Sequence, residues 1–331
     1  QGVSSSELRK KKRNLRLGLV GESDILKKVS NESKYVNGIQ ISGVYTEERE
    51  MVQKLLDDVA VYNGYDELLN DSDAVYIITS PKYHYRDIKH ALELGKHVLC
   101  ESPIAISKKE CEELFALAEE RGCVLMDAIK TAYSTAYHRM LLQVKTGKIG
   151  TPKSIEATCT SIREIDLSDS EKMERSWNSI SAWGPTALLP VLQIFGTEYK
   201  DRRIVTWLDN EEYHYDAFTK IDFCYSDSVA SVKVGQGVKS EGELIISGTK
   251  GYIYVPAPWW KTEYFEVRYE NPENNRRYFY QLDGEGIRYE LVSFVRSVES
   301  GKYTSNIEKN ISCDIAGIME QFMNGDITKI Q

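Results

Sequence analysis

The stretch DAVYIITSPKYHYRDIKHALELGKHVLCESP, residues 73–103, contains two short apolar runs on either side of a helical pattern. The runs 73–79 and 97–100 are typical of strands that are buried on both faces of a parallel sheet. Apolar or small residues recur between them at helical spacing, and Gly95 is placed to end the predicted helix. Parallel strands end at one edge of their sheet, where open α/β folds bind ligands. We therefore expect loops 79–84 and 101–103 to lie together at a ligand site.

The residues of these two loops resemble those of the Gfo/Idh/MocA family of nicotinamide-dependent dehydrogenases. The family carries T-P-N-x-x-H and then G-K-H-V-L-x-E-K-P, and this chain carries TSPKYH over 79–84 and GKHVLCESP over 95–103. The resemblance implies an α/β fold with a Rossmann-type doubly wound sheet, followed by an α+β domain built on a large open, mainly antiparallel sheet. It also implies that the residues of the two loops line a site for NAD or NADP: Thr79, Ser80, Pro81, His84, Glu101 and Ser102. Ser102 stands where the family has the lysine that reaches the nicotinamide and the substrate.

The first predicted strand, LRLGLVG over 15–21, leads into a glycine turn. A dinucleotide-binding turn has the form G-x-G-x-x-G, in which glycines permit close approach to the pyrophosphate. Here the turn reads Gly21-Glu22-Ser23-Asp24, so that one glycine is kept and two acidic residues are added. Negative charge at this position opposes the binding of a pyrophosphate. The position that often carries the ribose-binding acid is Tyr45, at the end of predicted strand 39–44.

Catalytic residues of the family have no titratable counterparts in the aligned segment of this chain. The family's form is G-G-G-x-x-x-D-x-G-x-H-x-x-D, and the aligned positions here are Ala182, Thr186 and Leu189. A proton-transfer group must titrate within reach of the substrate hydroxyl. Lys130, which follows predicted strand 123–126, is our candidate catalytic residue. The sequence leaves open whether its ammonium meets a substrate or is a structural surface group.

Composition narrows the class of protein. The 331 residues are enough for two domains of roughly 100–200 residues each. A net charge of −8 argues against a nucleic-acid partner. No apolar run approaches the ~20 residues of a membrane span, and no signal-peptide pattern begins the chain. Six cysteines without a zinc-ligand pattern indicate reduced thiols and no metal site. We therefore expect a cytoplasmic protein.

Alternating apolar and polar residues beyond residue 152 predict consecutive antiparallel strands. Helices are predicted at 47–56, 107–121, 135–146, 181–195, 286–299 and 306–323. The expected organisation is a flexible flank over 1–14, a dinucleotide-binding domain over 15–150, and a substrate and oligomerisation domain over 151–331. The resemblance implies a homo-oligomer, a dimer or tetramer, formed through the open sheet face. Trp207, Trp259 and Trp260 either anchor that interface or fill an internal core.

Two functions follow from these patterns. The first is an NAD(P)-dependent oxidoreductase acting on a sugar, a polyol or a similar hydroxylated small molecule. The alternative is a catalytically inactive relative that serves as a ligand-binding or assembly protein. The alternative is motivated by the joint departure of the phosphate turn, Tyr45, Ser102 and the catalytic segment from the family pattern.

Overall fold

The computed structural model describes residues 13–50, 56 and 58–331. Within these residues, the first sheet has five parallel strands in the order β2-β1-β3-β4-β5. They are β1 Leu15–Gly21, β2 Ile39–Tyr45, β3 Ala74–Ile78, β4 His97–Glu101 and β5 Leu125–Ala128. All five residues of β3 are buried, as expected for a central strand covered on both faces. The predicted fold class is confirmed.

A single parallel bridge between Val44 and Val61 extends the sheet beyond β2. Two backbone hydrogen bonds of 2.8 Å flank it, from Val44 N–H to Ala60 O and from Tyr62 N–H to Val44 O. With this bridge as a rudimentary strand, the spatial order becomes the 3-2-1-4-5-6 order of a dinucleotide-binding fold. The helix predicted at 47–56 lies largely outside the described residues.

Helices connect the parallel strands and cover both faces of the sheet. They are α1 Ile25–Ser33, α2 Tyr65–Asn70, α3 Pro81–Glu93, α4 Lys108–Glu120 and α5 Thr135–Lys145. Pro81 opens α3, where a missing N–H costs no helical hydrogen bond. Gly95 follows α3 with a φ of +73°, which glycine adopts without strain. The hydroxyl of Ser107 caps α4 by accepting a hydrogen bond from the Glu110 N–H at 3.3 Å.

The second sheet, again counted in the described residues, has nine strands in the order β13-β12-β11-β10-β6-β9-β8-β7-β14. They are β6 Pro152–Thr160, β7 Asp201–Asn210, β8 Tyr215–Cys224, β9 Val229–Gly235, β10 Leu244–Gly248, β11 Gly251–Val255, β12 Tyr264–Tyr269, β13 Arg276–Phe279 and β14 Thr328–Ile330. Only the pairs β6–β9 and β7–β14 are parallel. Strand β7 was not among the predicted strands, because charged residues at Asp201, Arg202 and Arg203 hide its alternation.

Four further helices complete the fold: α6 Ser170–Arg175, α7 Ser179–Phe195, α8 Ile287–Ser300 and α9 Lys309–Met323. Helix α7 packs on β6, β8 and β9 of the second sheet. Helices α8 and α9 return to the first half of the chain, where they pack on α1 and α4. No described helix is long and apolar enough to cross a membrane.

The three tryptophans that the sequence offers as interface anchors, Trp207, Trp259 and Trp260, lie in different environments. Trp259 is fully buried in the core, and Trp260 packs against Trp183 with ring centroids 4.8 Å apart. Trp207 is 39% exposed on the outer face of the second sheet. Only Trp207 is therefore placed to anchor an interface through that face.

The carboxylate of Asp216 holds the start of α7 against β8. It accepts hydrogen bonds from the backbone N–H groups of Ser179 at 2.7 Å and Ile180 at 3.1 Å, and from the Thr219 hydroxyl at 2.5 Å. Asp216 is fully buried, so its removal leaves these donors without partners.

We expect Asp216→Ala to lower the free energy of unfolding by about 2 kcal/mol, because buried donors that lose their acceptor keep their desolvation cost. Urea denaturation followed by circular dichroism measures this. The control is Asp222→Ala, an exposed aspartate on the same strand. Equal effects of the two substitutions would contradict the capping role.

A candidate active-site cleft at the carboxyl edge of the parallel sheet

A cleft of about 700 Å³ lies between the carboxyl edge of the first sheet and the second half of the chain. The first half contributes the glycine turn and the ends of β3 and β4: Glu22, Ser23, Asp24, Ile25, Glu48, Ile78, Glu101 and Ser102. The second half contributes a segment we call the strap, residues 161–178, together with Ala182 and Gln236. The glycine turn and the residues at the end of β4 therefore line one cleft.

The turn after β1 requires glycine at its first position. Gly21 has a φ of +137°, and a Cβ there would lie 2.6 Å from the Ile78 carbonyl oxygen. The hydroxyl of Ser23 accepts a hydrogen bond from the Ile25 N–H at 3.2 Å, at the start of α1. Gly21 thus allows β1 to end close against β3, while the side chains that follow it line the cleft.

Acidic residues gather where this turn approaches the end of β2. The Glu22 carboxyl accepts a hydrogen bond from the Glu47 N–H, but burial and the nearby charges of Glu47 and Glu48 raise its pKa to about 7. Arg175 of the strap supplies the opposing charge, 3.1 Å from Glu48 and 3.8 Å from Glu47. The Glu22 carboxyl at this end of the cleft is therefore partly protonated near neutral pH.

Tyr45 is the last residue of β2, and its ring stacks on Tyr65 with centroids 6.0 Å apart. Glu47 and Glu48 follow it in the chain, so carboxylates lie near the position where the family pattern places one. The folded loop brings both glutamates close to Glu22.

His84 joins the two rim loops. It is fully buried, with Nδ1 at 2.7 Å from the Pro103 carbonyl oxygen and Nε2 at 2.7 Å from the Thr79 carbonyl oxygen. Burial lowers the pKa of His84 against the effect of both carbonyls, and the neutral ring, with one N–H, donates to one of them at a time. Its ring is therefore engaged in holding the loops together, and it is not one of the side chains that line the cleft.

The other residues of loop 79–84 face elsewhere. The Thr79 hydroxyl donates a hydrogen bond to Asp87 at 2.9 Å. Ser80 and Pro81 line a smaller cavity of about 390 Å³, whose walls include Met173, Met319 and Phe322.

Glu101 and Ser102 form the cleft wall at the end of β4. The Glu101 carboxylate accepts a hydrogen bond from the Tyr76 hydroxyl at 2.5 Å. Burial raises the pKa of Glu101 to about 7, against the opposing effects of Tyr76 and of the Lys130 ammonium. The Ser102 hydroxyl donates to Asp127 at 3.3 Å and therefore points toward a carboxylate of β5.

Two buried carboxyls lie behind this wall. Asp127 is fully buried, accepts a second hydrogen bond from Ser312 at 2.7 Å, and has its pKa raised to about 6 by burial. Burial and the charge of Glu101 raise the pKa of Glu290, on α8, well above its usual range. Within the described part of the chain, Oδ1 of Asp127 and Oε1 of Glu290 have no hydrogen-bond partner.

Sequence reasoning missed both residues. Asp127 had a detectable signal, since a carboxyl at the end of a buried strand is unusual. Glu290 had none, because it arrives from a helix that begins 159 residues after β5 ends (287 − 128).

Lys130 lies in a 3₁₀ turn after β5, and its ammonium is 3.2 Å from Glu285. Lys28 at 2.8 Å and Lys261 at 2.7 Å contact the same carboxylate. The three lysines hold the pKa of Glu285 far below its usual range. Lys130 also stabilises the charged form of Glu101. Its predicted catalytic role stays a prediction, and the structure places it in a charge cluster behind Glu101.

The positions of the family's acid–base pair lie on α7. Ala182 lines the cleft, Thr186 is half-buried, and Leu189 is fully buried. Hence none of the three positions offers a titratable side chain. Among the described residues, no group of three or more His, Cys, Asp and Glu side chains is arranged to hold a metal ion.

The cleft runs from the turn after β1 to the end of β4, the edge at which dinucleotide-binding folds hold their cofactor. Gly21 lets the backbone of this turn lie close to Ile78 of β3. The charge of the turn is unusual, because Glu22, Asp24 and Glu48 line the cleft where a dinucleotide fold binds phosphates. Arg163, Lys172 and Arg175 of the strap offset part of this charge, although Glu164 and Asp166 of the strap line the cleft as well.

Comparison with known proteins agrees with this architecture. Residues 15–128 match the family model GFO_IDH_MocA, described as an oxidoreductase family with an NAD-binding Rossmann fold. This match confirms the family recognised from residues 73–103.

Curated relatives include a D-xylose 1-dehydrogenase (NADP(+)) from Hypocrea jecorina, which is 26% identical over 65% of this chain. A scyllo-inositol 2-dehydrogenase (NADP(+)) from Bacillus subtilis is 26% identical over 55% of the chain. The matched segments span 61% and 58% of the lengths of these two relatives.

Solved structures extend the likeness over nearly the whole chain. A 3-ketoreductase from Actinomadura kijaniata, in complex with NADP and TDP-benzene, has a TM-score of 0.83 at 17% identity, and the match covers 96% of this chain and 99% of that one. An oxidoreductase from Agrobacterium radiobacter, in complex with NAD+, L-tartaric acid and magnesium, has a TM-score of 0.77 at 17% identity, and covers 95% of this chain and 97% of that one. At this identity the likeness establishes the shared fold.

We expect Glu22→Gln to raise the thermal midpoint at about pH 8, on the order of 2–4 °C, and to leave it unchanged at about pH 4. The folded protein holds the Glu22 proton more tightly than the unfolded chain, so this carboxyl destabilises the fold increasingly as pH rises from about 4.5 to about 7. Calorimetric melting across this range measures the effect. The control is Glu67→Gln, on the exposed face of α2. If the thermal midpoint of Glu22→Gln changed with pH as that of the wild type does, the burial of Glu22 would be refuted.

Proposed function

This chain belongs, through residues 15–128, to the Gfo/Idh/MocA family, and on that premise we propose that it is a nicotinamide-dependent oxidoreductase of a sugar, polyol or similar hydroxylated small molecule. The observation that carries the proposal is the cleft itself. One continuous space joins a glycine turn of dinucleotide-binding geometry to Glu101, a carboxyl that titrates near neutral pH.

The Gly21–Asp24 turn would hold the phosphate end of the cofactor, and the nicotinamide end would lie beside the Glu101–Ser102 wall. A nicotinamide cofactor, when bound, supplies the ring that accepts or donates hydride. The strap closes over the cleft from the second half of the chain. Lys82 and Tyr83 of the rim hold it through Glu174, with 3.0 Å between the Tyr83 hydroxyl and the Glu174 carboxylate. In this proposal Arg163 and Lys172 of the strap meet the phosphate charge, which glycine turns usually meet with backbone N–H groups alone.

The charge at the end of β2 favours NAD over NADP. Glu22, Glu47 and Glu48 lie together there, and Arg175 is already paired with the last two. A carboxylate at this position accepts a hydrogen bond from a ribose 2′-hydroxyl but repels a 2′-phosphate.

In the proposed reaction Lys130 acts electrostatically. Its ammonium is shared with Glu285 and stabilises the charged form of Glu101, so the role of Lys130 is to favour the proton-accepting state of the cleft wall. The sequence proposed a direct contact of Lys130 with the substrate, which stays a prediction.

A second candidate is a non-catalytic protein that binds a ligand in the same cleft or serves in an assembly. The observation that favours it is the set of side chains Ala182, Thr186 and Ser102, which replace the acid, the histidine and the lysine of the family pattern. Cofactor binding and turnover separate the two candidates.

We also propose that the chain forms a homo-oligomer, a dimer or tetramer, through the outer face of the nine-stranded sheet. The exposed Trp207 lies opposite Phe218 in the β7–β8 register, and Tyr252 is exposed on the same sheet. Aromatic side chains of this kind are enriched in the cores of protein interfaces.

Isothermal calorimetry and nicotinamide absorbance test the function. We expect NAD to bind more tightly than NADP, and about tenfold more tightly at about pH 6 than at about pH 8, an effect of ~1.4 kcal/mol. The reason is that Glu22 is mostly protonated at the lower pH, so its negative charge no longer repels the phosphates of NAD. Glu22→Gln should bind tightly at both pH values, whereas Glu67→Gln should behave as the wild type.

Turnover is then sought with a panel of sugars, polyols and hydroxy acids. Oxidation of any of them with NAD supports the oxidoreductase. Failure of both NAD(H) and NADP(H) to bind at millimolar concentration would remove this proposal and leave the non-catalytic candidate.

For the oligomer, we expect Trp207→Arg to shift the protein to a smaller species in multi-angle light scattering, because a charge in an apolar contact is costly to desolvate. Leu94→Arg, at an exposed site after α3, is the matched control. A wild-type monomer, or an unchanged mass in Trp207→Arg, would argue against this interface.

A further inference from the structure

We propose that Glu101 is the general acid–base of this protein, the residue that exchanges the proton of the substrate hydroxyl. This inference rests on the proposed oxidoreductase function and assigns a residue to its proton transfer. Glu101 is the last residue of β4, and its side chain lines the cleft beside Ser102. Ala182 lines the cleft from α7 and brings no competing titratable group.

Tyr76 sets the orientation of the Glu101 carboxylate. Its ring is fully buried in β3, and its hydroxyl donates to Oε2 of Glu101 at 2.5 Å. A carboxylate held by a rigid donor on the neighbouring strand keeps a defined direction, as a proton-transfer group requires.

The charges around Glu101 come from four elements. Tyr76 of β3 and Lys130 of the 3₁₀ turn favour the carboxylate, whereas Asp127 of β5 opposes it. The charge of Glu101 in turn raises the pKa of Glu290 on α8. Burial is the largest influence, and the outcome is a pKa of about 7. An acid–base group is most effective when its pKa lies near the working pH.

Among the neighbouring carboxyls of Glu101, Asp127 and Glu290, only that of Glu101 lines the cleft and can contact a substrate. Asp127 and Glu290 are 0% and 2% exposed and do not line the cleft. Ser102 and Ser312 also occupy Oδ2 of Asp127. Asp127 acts on Glu101 through its charge and is therefore a positioning residue.

Glu22 is the other cleft carboxyl with a pKa near 7, but it lies at a different place. It follows β1, which is separated from β4 by β3, so the two sites are about two strand spacings, roughly 10 Å, apart. Glu22 approaches Glu47 and Glu48, at the end of β2. The cleft therefore has one titrating carboxyl near the cofactor phosphates and another at the end of β4.

In the oxidation direction, the O–H bond of the substrate hydroxyl breaks, and its proton passes to the Glu101 carboxylate. The C–H bond of the carbon that bears this hydroxyl breaks as well, and its hydrogen leaves as hydride, which a bound oxidised nicotinamide would accept. The substrate C–O bond becomes a carbonyl, and protonated Glu101 returns its proton to solvent or, in reduction, to the new alkoxide.

The test compares Glu101→Gln and Glu101→Asp with the wild type. We expect Glu101→Gln to lower kcat/KM for oxidation on the order of 10²–10⁴-fold. The acid limb near pH 7 in the wild-type profile should disappear in this variant and persist in Glu101→Asp. NAD affinity by calorimetry should stay within about threefold of wild type, a difference below ~1 kcal/mol. Glu119→Gln, an exposed glutamate on α4, is the matched control.

A second variant tests the origin of the pH dependence. Tyr76→Phe removes a hydrogen bond that favours the carboxylate, so the acid limb should move to higher pH. A purely structural role for Glu101 predicts no such movement.

The possible results distinguish failure of the role proposed for Glu101 from failure of the proposed oxidoreductase function. A wild-type rate and pH profile in Glu101→Gln overturns the role of Glu101 and leaves the oxidoreductase standing. Loss of NAD binding in Glu101→Gln assigns the residue to structure and also overturns the inference. A wild-type protein that neither binds NAD(H) or NADP(H) nor turns over a hydroxylated substrate overturns the proposed function, and the inference falls with it.

Discussion

Parallel pairing of β1, β3, β4 and β5 is the constraint on which the site depends. Gly21 is paired with Ile78, and Glu101 with Ala128, so that the ends of four strands share one edge of the sheet. Hydrogen bonding fixes this register, and a shift by one residue would turn each side chain to the opposite face. Residues from distant parts of the chain therefore meet at the cleft without any sequence relation to one another.

This edge concentrates carboxyl groups that water no longer solvates. Burial disfavours the charged form of each, and Lys130 is the cation that acts on Glu101 and Glu290 together. The cost of burying several like charges is reduced when some of them hold protons at neutral pH. A site built in this way can exchange protons in the physiological range, although it lacks the lysine and histidine of the family pattern. The strap supplies further cations at the opposite end, where Arg175 meets Glu48.

The second half of the chain completes the cleft and stabilises the first half. Helices α8 and α9 pack on α1 and α4, and Glu285 draws Lys28, Lys130 and Lys261 onto one carboxylate. Glu285 adopts a φ of +56°, an uncommon conformation for a residue with a side chain. The four charged groups come from α1, the turn after β5, the segment before β12 and the segment before α8. Their meeting ties the glycine turn to the cleft wall through ion pairs as well as through apolar packing.

Local patterns in the sequence determined the elements of this fold. The apolar runs of residues 73–103, the Gly21 turn and the alternation beyond residue 152 each depend on neighbours within a few positions. These patterns predicted the parallel sheet, the antiparallel strands and the two loops of the ligand edge. The family resemblance of residues 79–84 and 95–103 added the expectation that Glu101 and Ser102 belong to a cofactor site. Tertiary structure alone decided the chemistry of that wall. Glu101 raises the pKa of Glu290 on a distant helix, Glu285 engages Lys130, and His84 lies between two backbone carbonyls. The pKa of a carboxyl depends on its burial and on the charges that folding brings near it, and the local spacing of residues in the sequence shows neither.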